Sequence, residues 1–144
     1  MKIIPCLVLI LSLFVLSSCS SNDPEKVAVD AVKCMLDKDF EELFEYFEIP
    51  ENLSEEELKE YKEELLKKIE RVRQSKTEYQ QIDEHGGAHK IQVVKNSDGS
   101  TVEYLTEKKD KVRVYIEVIC KDGEKINIGS DKFVLRDGKW KAIP

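Results

Sequence analysis

The chain has 144 residues, of which 36% are charged and 41% are hydrophobic, and its formal charge at pH 7 is −6. This composition is typical of a globular protein, and the length is enough for one domain. The net negative charge argues against binding to nucleic-acid phosphates and against docking on anionic lipid through a basic face, so we expect no nucleic-acid partner.

The first apolar segment is too short to cross a membrane as a helix. Lys2 precedes 14 almost wholly apolar residues, from Ile3 to Leu16, whereas a spanning helix needs about 20. A positive start, a short apolar run and small residues before a polar break are typical of an export signal. We therefore expect residues 1–18 to be a signal peptide.

The apolar run closes with Leu16-Ser17-Ser18-Cys19. These four residues resemble the lipobox of bacterial lipoproteins. The resemblance implies that a diacylglyceryl group is attached to Cys19 and that lipoprotein signal peptidase cleaves between Ser18 and Cys19. Each buried methylene contributes about 0.8 kcal/mol, so two or three acyl chains hold a protein at a bilayer effectively permanently. The alternative is a plain secretory signal with an incidental cysteine.

The lipobox resemblance also predicts a location, the bacterial cell envelope, with the membrane bound through Cys19. Ser20 follows the anchor, and this is similar to the pattern of lipoproteins sorted to the outer membrane, since an aspartate there tends to retain them at the inner one. We expect the outer membrane, facing the periplasm or the cell surface. Residues 19–23 would be a lipidated tether of at most about 17 Å, which keeps a domain of residues 24–144 close to the membrane.

Two cysteines remain in the mature chain, Cys34 and Cys120. An even pair in an exported protein is a candidate disulfide, and both residues are predicted to face the core. A bridge that closes so long a loop would contribute about 3–5 kcal/mol. The alternative is two buried thiols that never meet.

Three helices are predicted in the first half of the mature chain. The first begins after the N-cap Asp23, with Pro24 in its first turn. The second begins after Asp39, and the third begins after Ser54, which forms a capping-box pattern with Glu57. Apolar residues recur at helical spacing in each of the three segments.

The apolar period changes from helical to alternating near Ser75. Six strand-like runs follow, separated by Gly-Gly and Asp-Gly pairs that favour tight turns; they lie near Thr77–Asp83, Lys90–Lys95, Thr101–Thr106, Val112–Cys120, Lys125–Leu135 and Lys139–Ile143. A β-bulge at Gly129-Ser130 is expected to change the face of the fifth run. The pattern predicts an α+β fold, with N-terminal helices packed on one curved antiparallel sheet and Val112–Cys120 near its centre.

Four segments carry a wider resemblance: Pro24–Val27, Leu36–Leu43, Val112–Ile116 with Lys121–Glu124, and the closing hairpin Phe133–Lys141. They make the chain similar to small bacterial lipoproteins of uncharacterised function that have a cystatin-like or nuclear-transport-factor-like (NTF2-like) cone domain. The resemblance implies a sheet that wraps around the first helix and leaves a pocket at the open end. It implies a fold and no particular activity.

The residues that could carry chemistry have simpler interpretations. His85 and His89 flank a glycine turn without an obvious third metal ligand, and the segment 96–100 lacks the carboxylates that a calcium loop needs. Some cone enzymes use a buried Asp base and a Tyr donor, but no Asp or His occupies a strand position that we predict to face inwards. Trp140 is expected to pack in the core. We therefore predict no catalytic residue, no metal ligand and no cofactor.

The preferred interpretation is a lipid-anchored envelope protein that acts by binding, either a protein partner in the envelope or a small apolar ligand in the pocket. One alternative is a cone-fold enzyme of the isomerase or dehydratase type. Another is a structural accessory subunit or a homodimer that packs through the outer sheet face around Tyr115 and Ile119.

Overall fold

The computed structural model describes residues 23–143. The predicted signal peptide, the cleavage site at Ser18 and the lipidation site at Cys19 lie outside these residues. Within this range, four helices come first: α1 Pro24–Leu36, α2 Phe40–Phe44, α3 Glu55–Ser75 and α4 Thr77–Glu84. Five strands follow: β1 Ala88–Val93, β2 Glu103–Tyr104, β3 Lys111–Cys120, β4 Lys125–Arg136 and β5 Lys139–Ala142. Within residues 23–143, no helix combines the length and apolarity that a membrane span requires.

The first three helices begin where their capping residues predict. The Asp23 carboxylate accepts a hydrogen bond from the Glu25 amide at 3.0 Å and starts α1. Asp39 starts α2 in the same way. The Ser54 hydroxyl accepts from the Glu57 amide at 3.2 Å, and the Glu57 carboxylate accepts from the Ser54 amide, which completes the capping box of α3. These bonds satisfy amide groups that a helix leaves unpaired at its first turn.

The segment Thr77–Asp83 is helical, and its prediction as a strand was wrong. Lys76 adopts an extended conformation that ends α3, and α4 begins at the next residue. Tyr79 and Ile82 are the buried residues of α4, 5% and 1% exposed. Residues three apart share one face of a helix but opposite faces of a strand, so packing of this pair against the sheet favours the helix.

The five strands form one strongly curled antiparallel sheet in the order β1-β3-β4-β5, with β2 also paired to β3. The strand β3 is central, as predicted from Val112–Cys120. Its side chains alternate strictly between buried and half-buried after Lys111. The buried face packs against α1 and α4 in the larger of two apolar clusters, which confirms the predicted α+β architecture of helices on a curved sheet.

A bulge in β4 changes which of its side chains face the helices. Ile116 pairs with Gly129 but Glu117 pairs with Asn127, so β4 has one extra residue, Ile128, at this point. Gly129 has a φ of +95°, a conformation that costs a residue with a Cβ atom energy. The bulge predicted at Gly129-Ser130 is therefore present, and it places Asp131 opposite the fully buried Val114.

The candidate disulfide is not formed in this structure, because Cys34 and Cys120 are free thiols. Cys34 packs in a smaller cluster made by α1, α2 and α3. Cys120 packs at the end of β3 in the larger cluster. Both residues are buried, but they belong to different clusters of the interior. Trp140 is 8% exposed and lies in the larger cluster, as expected.

Candidate functional site

A cavity of about 190 Å³ lies between the helices and the inner face of the sheet. Its wall is mostly apolar and comes from α1 to α4 and from β3, β4 and β5; representative residues are Val32, Leu65, Ile69, Ile116, Ile128 and Phe133. An engineered apolar cavity of about 150 Å³ in another protein is large enough to bind benzene. This cavity therefore has room for a small apolar molecule or for the end of a longer one.

Asp131 is the carboxylate of the cavity wall. The β4 bulge turns its backbone position towards the helices, opposite Val114. The residue is exposed to solvent, yet the protein around its carboxyl group removes enough water to raise the pKa of this group above its ordinary value. The ammonium of Lys76 acts in the opposite direction and lowers the pKa. The result is a carboxyl group that holds its proton more strongly than a surface aspartate does.

Tyr79 lines the same cavity and contributes a phenol. It is 5% exposed, and burial is the main reason that the pKa of its hydroxyl is raised; the charge of Asp131 raises it further, and Arg73 opposes both. A phenol with a raised pKa stays protonated and can donate a hydrogen bond at any physiological pH. Asp131 and Tyr79 therefore supply one carboxyl group and one hydroxyl group to a mostly apolar site whose lining also includes Lys68, Lys76 and Lys132.

Arg73 holds α3, α1 and α4 in their positions around the site. It is 6% exposed. Its Nε donates a hydrogen bond to the Met35 carbonyl at 3.2 Å, and its terminal nitrogen donates to the two Asp83 carboxylate oxygens at 3.1 and 3.2 Å. The guanidinium carbon lies 5.2 Å from the centre of the Tyr79 ring. The orientation of Tyr79 thus depends on a charged group behind it.

Lys76 connects the helices to the bulge. Its Nζ donates a hydrogen bond of 2.5 Å to the Ile128 carbonyl, the extra residue of β4. The same Nζ lies 5.8 Å from the centre of the Tyr79 ring. Lys76 therefore stabilises the irregular backbone that brings Asp131 into the cavity.

Comparison with solved structures shows one clear likeness of fold. A crystal structure of a protein from Campylobacter jejuni, named "putative NTF2-like transpeptidase", is 17% identical in sequence, with a TM-score of 0.59, over 85% of this chain and 98% of the other. This chain has an NTF2-like fold. Searches with protein-family models and against curated proteins find no match. At this level of identity the likeness establishes the NTF2-like cone and no activity.

The cysteines of the cone are poorly suited to nucleophilic chemistry. Desolvation by burial, with nearby carboxylates, raises the pKa of the Cys34 thiol to about 11, and burial raises the pKa of Cys120 as well. The thiolate is the nucleophilic form of cysteine, and a raised pKa removes it at neutral pH. Neither residue lines the cavity that contains Asp131.

The histidines lie away from the cavity. His85 Nδ1 lies 2.6 Å from the Asp122 carboxylate in the turn before β1, and this hydrogen bond raises the pKa of the imidazole. His89 is an exposed residue of β1. Within residues 23–143, no group of three or more His, Cys, Asp or Glu side chains could hold a metal ion. In the segment 96–100, Asp98 accepts hydrogen bonds from Ser100, as in a tight turn.

The outer face of the sheet contains two polar contacts between neighbouring strands. Arg113 lies 3.6 Å from Glu103 in an ion pair, and the Gln92 amide donates to the Glu117 carboxylate. Tyr115 is half-buried on this face. Such internal pairs leave fewer charges to specify a partner, so the homodimer interpretation receives no added support.

The sequence interpretation missed Asp131 and Tyr79. The prediction that no aspartate occupies an inward-facing strand position was wrong, because Asp131 pairs with the buried Val114 on the far side of the bulge. Counting onward from a bulge at Gly129 puts Asp131 on the inner face, so the signal was present in the prediction already made. Tyr79 was missed because its segment was read as a strand, although its spacing of three from Ile82 also fits a helix.

Proposed function

We propose that this protein is a lipid-anchored binding module of the bacterial cell envelope whose cone domain holds a small apolar ligand. The observation that carries the binding function is the mostly apolar cavity of about 190 Å³, which contains the carboxyl group of Asp131. A concave apolar site with a few polar groups is the usual form of a small-molecule site in proteins.

The proposed ligand site can be tested with a change at the mouth of the cavity, which is the part of its lining where Val72 is exposed to solvent. Val72 lines the cavity and is 40% exposed, whereas Leu58 on the same helix is 39% exposed and lies outside the lining. We expect Val72→Trp to obstruct the cavity and Leu58→Trp to leave it open. Methyl NMR of Ile116 and Ile128, recorded on the full chain in lipid nanodiscs during titration with 1-octanol, reports occupancy directly.

The expected result is a saturable shift of both methyl signals in the unchanged chain and in Leu58→Trp, and a loss of it in Val72→Trp. If 1-octanol shifts neither signal, or if both tryptophan variants behave alike, the cavity is not a ligand site. Partitioning of the alcohol into the nanodisc lipid affects all three proteins equally, so it does not produce this difference.

The anchor is proposed from the residues Leu16-Ser17-Ser18-Cys19 and from the apolar run before them. We expect a fatty-acid probe to label the protein in cells, and Cys19→Ala to abolish both the label and retention in the membrane fraction. Label on the Cys19→Ala variant, or no label on the unchanged protein, would contradict the anchor. The prediction of an outer-membrane location is tested by separating the two membranes of the host.

A second candidate function, a cone-fold isomerase or dehydratase, is favoured by the presence of Asp131 and Tyr79 on one cavity. In such a step the Asp131 carboxylate would remove a proton from the carbon next to a carbonyl, and Tyr79 would donate a hydrogen bond to the enolate oxygen that forms. A raised pKa makes the carboxylate a stronger base than a surface aspartate.

This enzymatic alternative predicts exchange of that proton for deuterium in small apolar ketones dissolved in D2O, measured by NMR. Asp131→Asn should abolish the exchange, while Asp137→Asn, a change in an exposed turn outside the cavity lining, should not. Equal exchange by the two variants would exclude Asp131 as the base.

A further inference from the structure

The mouth of the cavity has the opposite charge from the protein as a whole. The chain carries a formal charge of −6, yet the cavity lining contains three lysines, Lys68, Lys76 and Lys132, and a single carboxylate, Asp131. Two apolar residues, Val72 and Ile143, are 40% and 39% exposed beside them. The opening therefore combines exposed apolar surface with a local excess of positive charge.

The three ammonium groups retain capacity for a ligand. Among the described residues, Lys68 and Lys132 form no ion pair, and both side chains are exposed. Lys76 donates one hydrogen bond to the Ile128 carbonyl, and an ammonium has three donors. A negative group at the mouth could thus be met by more than one lysine without breaking an ion pair among these residues.

We propose that the cavity selects a small amphipathic anion, whose apolar part lies against the cavity wall and whose single acidic group lies at the mouth near Lys68 and Lys76, with Lys132 beside them at the edge of β4, before its pairing with β5 begins. This inference rests on the proposed ligand-binding function and adds the chemical class of the ligand. It concerns selection by charge, since the apolar contacts alone would also accept a neutral molecule of the same shape.

The single carboxyl group in the lining supports an anion over a cation. A cationic ligand would gain the attraction of Asp131 only and would have to approach past three lysines. The pKa of Asp131 is raised by desolvation, so its negative charge is more easily given up than that of a surface aspartate when an anion enters. Its removal should therefore improve binding of an anion, which is the opposite of the effect of removing a lysine.

The test compares octanoate, 1-octanol and octylammonium, which share one alkyl chain and differ in charge. Each is titrated into the full chain in phosphatidylcholine nanodiscs, which contain no anionic lipid, and the methyl signals of Ile69, Ile116 and Ile128 report occupancy. The double variant Lys68→Met, Lys132→Met removes two lysines of the mouth. The matched control, Lys67→Met with Lys125→Met, removes one lysine from the same helix and one from the same strand outside the lining.

We expect octanoate to bind more tightly than 1-octanol, and octylammonium to bind least. The mouth variant should weaken octanoate binding about three- to fivefold, the size of effect typical of partly exposed ion pairs, and leave 1-octanol unchanged. Asp131→Asn should strengthen octanoate binding and not that of 1-octanol. The control variant should behave like the unchanged chain.

Two different negative results distinguish a failure of anion selection from a failure of ligand binding itself. If all three probes bind equally, or if the mouth and control variants lose octanoate affinity alike, selection of an anion is refuted while the cavity remains a ligand site. If no probe shifts the three methyl signals, the proposed ligand-binding function itself fails. The substituted lysines are exposed, and the methyl spectra of the free variants check that each is folded.

Discussion

Replacement of Arg73 by methionine removes the charged group that joins three helices behind the cavity while keeping an unbranched apolar side chain in the space. The Nε bond to the Met35 carbonyl is lost, but that carbonyl also accepts from the Lys38 amide at 3.3 Å and keeps a partner. The loss in free energy of unfolding is then close to the contribution of one hydrogen bond to a charged group, about 1.5 kcal/mol. The larger penalty of leaving a buried oxygen without a partner does not apply.

Two further contacts of Arg73 add to this cost. Stacking on the Tyr79 ring at 5.2 Å contributes about 0.5–1 kcal/mol. The Asp83 side chain is 58% exposed, so solvent screening limits the ion pair to about 0.5 kcal/mol. We therefore expect Arg73→Met to lower the free energy of unfolding by about 2.5–3 kcal/mol, and Asp83→Asn to lower it by no more than about 0.5 kcal/mol.

The measurement is urea unfolding of the full chain, followed by the fluorescence of Trp140, the single tryptophan of the sequence. The comparison of the two variants is the decisive part, because it separates the inner contacts of Arg73 from its exposed ion pair. A loss below about 1 kcal/mol for Arg73→Met, or equal losses for both variants, would refute the assignment of the energy to the Met35 and Tyr79 contacts.

Three more predictions follow. Cys34 and Cys120 should both be alkylated in the unfolded protein without a reductant, and a gain in alkylated mass on prior reduction would show a bridge. Hydrogen bonding to Asp122 raises the pKa of His85. While Asp122 is ionised, the pair should therefore stabilise the fold fully below about pH 6.5, the pKa of an unfolded histidine. This stabilisation should be lost as the pH rises through the higher pKa of His85 in the folded protein. NMR titration should accordingly show a lower His85 pKa in Asp122→Asn, and an unchanged value would contradict the pairing. Gly129→Ala should lower the free energy of unfolding in urea by about 1–2 kcal/mol, because Gly129 has a φ of +95°. No loss would mean that the backbone of the bulge changes conformation to accommodate the added Cβ atom.

Much of the fold could be predicted because local interactions decide it. Asp39 and Ser54 cap their helices through hydrogen bonds to residues three positions away, and such contacts are visible in any short window of sequence. The alternation from Val112 to Cys120 identifies a central strand for the same reason. The error at Thr77–Asp83 occurred where a short segment fits both periods, and the neighbouring sheet decided between them.

The candidate site was harder to predict than the fold around it. Its polar groups come from separate elements of the fold: Tyr79 from α4, Lys68 from α3, and Asp131 with Lys132 from β4. Their approach depends on a register shift of one residue between β3 and β4. A one-residue shift moves a side chain to the other face of a sheet, so an error of one residue in phase assigns the Asp131 carboxyl group to the wrong face.

The sequence by itself determined the helix starts, the central strand, the glycine that permits the bulge and the lipobox pattern on which the proposed anchor rests. These features depend on residues that are neighbours along the chain, whose conformational preferences act before any long-range contact forms. Only the tertiary structure decided that Cys34 and Cys120 lie in separate clusters, that residues 77–84 form a helix, and that lysines and an aspartate surround one apolar cavity. Those outcomes depend on distances between segments far apart along the chain, such as Ala31 and Ile143 in the cavity lining, which packing and strand register determine and local preference does not.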